Sequence, residues 1–177
     1  MTPMRKLLAN RATLTQYMIE TRRQHPGASG QFNELILGVA QTCKTISRAV
    51  AKGAVAGLVG SIGDVNVFGE EQKRLDMLAN DAFVRTLEWT GVLSGIASEE
   101  MEHARPVPAE HERGKYLLLL DPLDGYGNID VNAPVGTIFS VLGAPDPDRA
   151  ATDADFLQPG VRQVAAGYAL YGPTTVF

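Results

Sequence analysis

The stretch Tyr116-Leu117-Leu118-Leu119-Leu120-Asp121-Pro122-Leu123-Asp124-Gly125 decides the fold. An unbroken apolar run of this length suits a strand buried on both faces, because a half-solvated strand would alternate apolar and polar residues. The run ends in acid: Asp121 and Asp124 flank Pro122-Leu123, and Gly125 follows. Pro fixes the backbone of a turn and Gly permits close approach, so both carboxylates are expected to face one point. A second apolar segment ends the same way, since Val92–Ser98 reads as a strand that runs into Glu99-Glu100. If the two strands are neighbours in one sheet, their terminal acids converge. Carboxylates and carbonyls are hard oxygen donors of the kind that hold Mg²⁺ or Mn²⁺. Backbone N–H groups beyond Gly125 could form a nest for a phosphate, and two metals beside it would clamp a phosphoryl group and activate a water. Asp-Pro and Asp-Gly pairs are also ordinary turn chemistry, and acids at strand ends are commonly just solvated. Spacing alone leaves both readings open.

Upstream the period is helical. Residues 13–24 place Leu14, Tyr17 and Met18 on one face, with Thr13 as N-cap and His25-Pro26-Gly27 as terminator. Ser29 is a second N-cap, opening a helix to about Lys52 whose buried stripe is Phe32, Leu35, Ile36, Val39, Cys43, Ile46 and Val50. Cys43 lies on that stripe, which predicts a buried structural thiol rather than a nucleophile. Residues 53–69 are Gly-rich and read as a loop without a Walker-type phosphate pattern. A third helix is predicted from Glu70 to about Glu88. Downstream, 137–142 and 164–171 read as strands joined by a Pro/Asp-rich surface loop over 144–160, and Thr174–Phe177 is a further β-type run at the end. Helices first and strands later predict an α+β layered fold, with residues 1–177 as one domain.

The chain has 177 residues, with 16 Lys and Arg against 20 Asp and Glu, giving a formal net charge of −4. That balance supplies no basic face for nucleic acid. A single cysteine rules out an internal disulfide framework and a multi-cysteine zinc site. No apolar run approaches the roughly 18 residues that span a bilayer, and Met1–Asn10 lacks a secretory signal pattern. A cytoplasmic protein without a membrane partner is expected.

Asp121-Pro122-Leu123-Asp124-Gly125-Tyr126-Gly127-Asn128-Ile129-Asp130 resembles the signature of class I fructose-1,6-bisphosphatases, Asp-Pro-Leu-Asp-Gly-Ser-Ser-Asn-Ile-Asp. The likeness continues through Val135–Ser140, Phe156–Gly160 and Gln163–Tyr168. Upstream it includes Thr13-Leu14-Thr15, Gly69–Asp76 and Ala97–Glu100. It implies the N-terminal half of a layered sugar-phosphatase fold, and hydrolysis of the 1-phosphate of fructose 1,6-bisphosphate to fructose 6-phosphate in gluconeogenesis. The implied cofactor is Mg²⁺, with Mn²⁺ as a substitute, and the implied assembly is a homotetramer. Position by position, the resemblance implies that Glu99, Asp121, the Leu123 carbonyl and Asp124 bind metal. Asp124, Gly125, Tyr126, Gly127 and Asn128 would surround the 1-phosphate. Asp76 and Glu100 would handle the proton of the attacking water, and Glu70 would sit on a mobile loop. An acid at Glu70 also suits a helix N-terminus for dipole reasons alone.

Two departures stand out. Tyr126-Gly127 replaces the family's Ser-Ser, keeping the backbone donors and losing two hydroxyls. The chain also ends at Phe177, ahead of the residues that grip the sugar and 6-phosphate and ahead of one further acidic ligand, so an uncovered sheet face or edge is expected. The family's AMP pocket maps to Ser29, Gly30, Gln31, Phe32, Lys115 and Tyr116, where Gln31 and Phe32 depart from its Glu-Leu. Besides the phosphatase, two other readings stay open. One is a non-catalytic paralogue that binds metal or associates with intact subunits, and the other is a nucleotide-binding regulator.

Overall fold

A computed structural model describes residues 12–24, 29–52, 61–65 and 71–177. Helix α1 (Leu14–Arg23) starts where the Thr13 hydroxyl accepts the Gln16 N–H at 3.1 Å. It buries Met18 while Tyr17, predicted on the same face, is exposed. Helix α2 (Gln31–Lys52) buries Leu35, Ile36, Val39, Cys43 and Ile46 of the expected stripe, with Phe32 and Val50 half-buried at its ends. The third helix, α3 (Arg74–Leu87), begins four residues later than predicted. Glu71–Lys73, read from sequence as the start of that helix, forms a short strand, β2, antiparallel to β1 (Ser61–Val65), which lies in the stretch expected to be a loop.

Six further strands make one mixed sheet in the order β4-β3-β5-β6-β7-β8. They are β3 (Leu93–Ser98), β4 (Arg105–Pro106), β5 (Tyr116–Asp124), β6 (Val135–Gly143), β7 (Ala165–Tyr171) and β8 (Thr175–Val176). β3 and β5 are parallel and adjacent, which meets the condition for their acidic ends to lie side by side, and the remaining pairs are antiparallel. The β-type run at the end of the chain is β8, paired to β7 with Leu170 opposite Val176.

The apolar run of β5 is continuous because both faces of that strand are covered. Leu118 and Leu120 join Leu35, Val39, Phe83, Val141 and Tyr171 in the core under the helices. Leu117 faces the other way, against Leu142, Ala151 and Phe156. Those last two belong to the predicted surface loop, which contains a short helix, α4 (Asp153–Phe156). Asp155 closes a capping box with Thr152 and takes a bidentate contact from Arg149, with Arg149 Nη1 to Asp155 Oδ2 at 2.7 Å. Further along this second face the cover stops: Ile138, Tyr168 and Leu170 are 49%, 62% and 43% exposed. An open apolar sheet face therefore lies beside the acidic ends of β3 and β5. Among the described residues, no helix is long and apolar enough to cross a membrane.

Candidate active site

β3 and β5 run in parallel register with Ser98 opposite Leu120, and the Glu99 N–H donates to the Leu120 carbonyl at 3.0 Å. Glu99 and Asp121 therefore leave the sheet side by side at its carboxyl end. Both line a cavity of about 390 Å³ on the open face, together with Ser98, Ile138 and Gln163. Glu100 follows in the turn, its N–H donating to Ser98 Oγ at 3.3 Å.

The Asp-Pro-Leu-Asp segment is strand rather than turn, which corrects the predicted geometry: β5 continues to Asp124. In a regular strand, side chains alternate, so residues three apart face opposite sides. Here Asp121 pairs with Ile138 and Asp124 with Gly136, so three steps on β5 match two on β6. Pro122 and Leu123 together oppose the single Thr137. This β-bulge re-aims the strand and returns Asp124 to the face that carries Asp121. Asp121 Oδ1 accepts the Leu123 N–H at 3.1 Å, an Asx-type contact that steadies the bulge. Thr137 Oγ1 donates to the Pro122 carbonyl at 2.8 Å from below.

Beyond the bulge, Gly125 has φ +80°, a left-handed conformation that a residue with a Cβ rarely adopts. It starts a 3₁₀ turn over Tyr126–Val131. The Asn128 N–H returns to the Gly125 carbonyl at 2.8 Å, and its side-chain amide donates to the Pro134 carbonyl at 3.0 Å. Asp124, Gly125 and Asn128 line a second cavity of about 590 Å³ with Gly136 and Tyr168. The two cavities share Ile138, Phe139 and Ala166, so they adjoin. Gly127 is exposed, with open space where a Cβ would stand.

The remaining predicted site residues are placed differently. Asp76 is buried in the first turn of α3, and neither it nor Glu100 lines the two cavities. Glu70 lies outside the described residues. Among the described residues, no group of three or more His, Cys, Asp or Glu is close enough to hold a metal ion. The expected compact ligand set is spread along one face instead, Glu99 and Asp121 lining one cavity and Asp124 the next. The donors that share this face are all hard oxygens, which fits Mg²⁺ or Mn²⁺ in chemistry.

Some 86 residues of chain separate Ser29 from Lys115, yet Lys115 Nζ donates to Ser29 Oγ at 3.0 Å. Ser29 also accepts the Gln31 N–H at 3.5 Å, the looser of the two contacts. Tyr116 meets the edge of Phe32 at 6.0 Å between centroids. Ser29, Gly30, Phe32, Lys115 and Tyr116 line one cavity of about 390 Å³; Gln31 does not. Arg22, which the sequence did not single out, lines it too. Gly30 has φ +92°, and a Cβ there would meet Arg22 Nη1 at 2.7 Å, so the glycine admits the guanidinium. The available signal was the basic pair Arg22-Arg23 closing α1.

A family model described as the N-terminal domain of fructose-1-6-bisphosphatase matches residues 12–177. The chain belongs to the class 1 fructose-1,6-bisphosphatase family. It is 56% identical over 169 residues to fructose-1,6-bisphosphatase class 1 of Hydrogenophilus thermoluteolus, covering 95% of this chain and 47% of that protein. It is 52% identical over 166 residues to fructose-1,6-bisphosphatase class 1 3 of Methylibium petroleiphilum, covering 94% and 46%. The chain thus spans about half the length of these curated relatives. Among solved structures, Leishmania major fructose-1,6-bisphosphatase in holo form superposes with a TM-score of 0.82 at 32% identity, covering 93% of this chain and 50% of that one. The apo form of the same enzyme gives 0.73 at 30% identity, covering 93% and 48%. The family fold of helices followed by a mixed sheet is the architecture described above.

Proposed function

We propose that this chain is the N-terminal domain of a divalent-metal-dependent phosphatase that releases the 1-phosphate of fructose 1,6-bisphosphate. One observation carries the reading most: the bulge in β5 sets Asp121 and Asp124 on one face beside Glu99, at the mouth of adjoining cavities. In this reading Glu99, Asp121, the Leu123 carbonyl and Asp124 hold Mg²⁺ or Mn²⁺. A bound cation there would neutralise charge on the transferring phosphoryl group and acidify a water. The residues of the chain orient the reactants. Gly125 and the 3₁₀ turn after it present backbone N–H groups to the phosphate, and Asn128, tied to Pro134, keeps that turn in shape. Asp76 and Glu100 act on the proton of the attacking water, moving toward it as the site fills.

The groups that grip the sugar and its second phosphate come from outside residues 1–177, against the open face of β6 and β7, and the working protein is a homotetramer. The Ser29–Lys115 cavity supports a second, regulatory reading. Two cations and the N-terminus of a 22-residue helix face one small space, the chemistry that binds a nucleotide phosphate. Release of inorganic phosphate from fructose 1,6-bisphosphate by the full-length protein in Mg²⁺, with none in excess chelator, tests the main reading. Metal binding without turnover supports the non-catalytic alternative.

A further inference from the structure

The bulge that sets the two aspartates on one face is held from the core side by a relay of hydroxyls. Thr137 Oγ1 donates its one proton to the Pro122 carbonyl at 2.8 Å. The Tyr171 hydroxyl lies 2.6 Å from the same Oγ1. A threonine hydroxyl has a single proton, so Tyr171 is the donor in this second contact. Tyr171 in turn lies against the Cys43 thiol of α2, and burial raises the pKa of both groups, keeping each protonated. Both Thr137 and Tyr171 are fully buried, at 0% and 2% exposure. A chain of hydroxyl donors therefore runs from Tyr171 on β7 through Thr137 on β6 to the carbonyl of the bulged residue.

A β-bulge leaves a backbone group without its regular ladder partner, and a buried carbonyl without a partner is costly. Pro122 and Leu123 share one opposing residue, and the Thr137 hydroxyl supplies a donor to the carbonyl of the first of them. Without the Thr137 hydroxyl, the strand gains by slipping back toward a regular register. A slip of one residue would turn Asp124 to the opposite face from Asp121.

We propose that Thr137 and Tyr171 are positioning residues, pinning the bulge that keeps Asp121 and Asp124 on one face. This rests on the reading of those aspartates as metal ligands, and its test separates the two claims. The first arm is amide hydrogen exchange of the full-length protein without added metal. Thr137→Val raises exchange of the Leu123 and Asp124 amides by about tenfold, the loss expected for one buried hydrogen bond, and Thr137→Ser restores protection. Tyr171→Phe acts in the same direction with a smaller effect.

The second arm is Mn²⁺ affinity, read from the paramagnetic resonance of free Mn²⁺. Thr137→Val weakens it by about 10–100-fold, as losses of supporting groups around metal ligands do, and Thr137→Ser does not. Val141→Ala removes core volume on the same face of the same strand. It lowers the melting temperature while leaving Mn²⁺ affinity within about twofold, a separation between general destabilisation and pinning. Unchanged exchange at Leu123 and Asp124 in Thr137→Val overturns the proposal. A parent protein that binds no Mn²⁺ overturns the ligand reading, and the exchange arm then decides the pinning alone.

Discussion

Asp121 and Asp124 project from one face of β5 although an alternating strand would set them on opposite faces. Their partners across the ladder, Ile138 and Gly136, are two residues apart where the aspartates are three apart. That single extra residue converts an ordinary buried strand end into a row of oxygen donors next to Glu99.

Each of these acids is expected to serve the chemistry and leave folding intact. Asp121→Asn keeps the oxygen that accepts the Leu123 N–H, so the bulge survives while the charge is lost. Losing a charged ligand removes several kcal/mol of transition-state stabilisation, so the rate falls at least about a hundredfold. Glu99→Gln behaves alike. Thermal unfolding and steady-state rates check the pair of outcomes together, and a large drop in melting temperature would assign the acids to structure.

The loss of two hydroxyls at Tyr126-Gly127 has a price that restoration should recover. Gly127 has open space around its Cβ position and an ordinary negative φ, so a serine fits there. Tyr126→Ser with Gly127→Ser is expected to raise the phosphatase rate of the full-length protein, by up to about a hundredfold if both hydroxyls donate in the transition state. Equal rates for parent and double variant contradict the expectation.

Lys115 is expected to carry most of the phosphate affinity of the α1–α2 cavity, with Arg22 beside it. Lys115→Met keeps much of the stem and removes the charge that sits 5.5 Å from the Tyr116 ring centroid. AMP binding measured by calorimetry should weaken about tenfold or more. A parent that binds no AMP contradicts the nucleotide reading of this cavity.

Asp155 makes the segment before β7 sensitive to acid. The Arg149 guanidinium, and then the Thr152 N–H, hold its carboxyl well below the ordinary range. A carboxylate depressed by folding contributes stability that is present above the unfolded-chain pKa of about 4 and lost as pH falls through its lower folded value. Asp155→Asn should therefore lower the melting temperature at pH 7, and the gap from the parent should narrow as pH drops below about 4. A gap that stays constant with pH contradicts this account of the Arg149–Asp155 contact.

Much of this architecture could be read from residue order because its signals are local. The stripe of α2 and the apolar run of β5 each declare a period over several turns or several pairs. Glu71-Gln72-Lys73 carries no alternation, so it merged with the helix that follows, and β1 was lost among glycines for the same reason. The bulge was invisible for a different reason: it is a property of register between β5 and β6, and no spacing within Asp121–Asp124 encodes it. Pro122 and Gly125 suggest a turn that aims both aspartates at one point, whereas the bulge sets them on one face of the strand and in adjoining cavities. Long-range pairs such as Ser29–Lys115 came only from family likeness, and Arg22 came from neither, because what selects it is the missing Cβ of Gly30.

Asp121 and its neighbours are proposed to hold the divalent metal used in releasing phosphate from fructose 1,6-bisphosphate. A Mg²⁺ titration of phosphate release from fructose 1,6-bisphosphate, run on the full-length parent and on Asp121→Asn, tests it most directly. The account predicts saturable Mg²⁺ dependence in the parent, and a variant that folds normally with at most about a hundredth of the rate. Phosphate release that ignores Mg²⁺, or an Asp121→Asn variant with the parental rate and metal dependence, would contradict it.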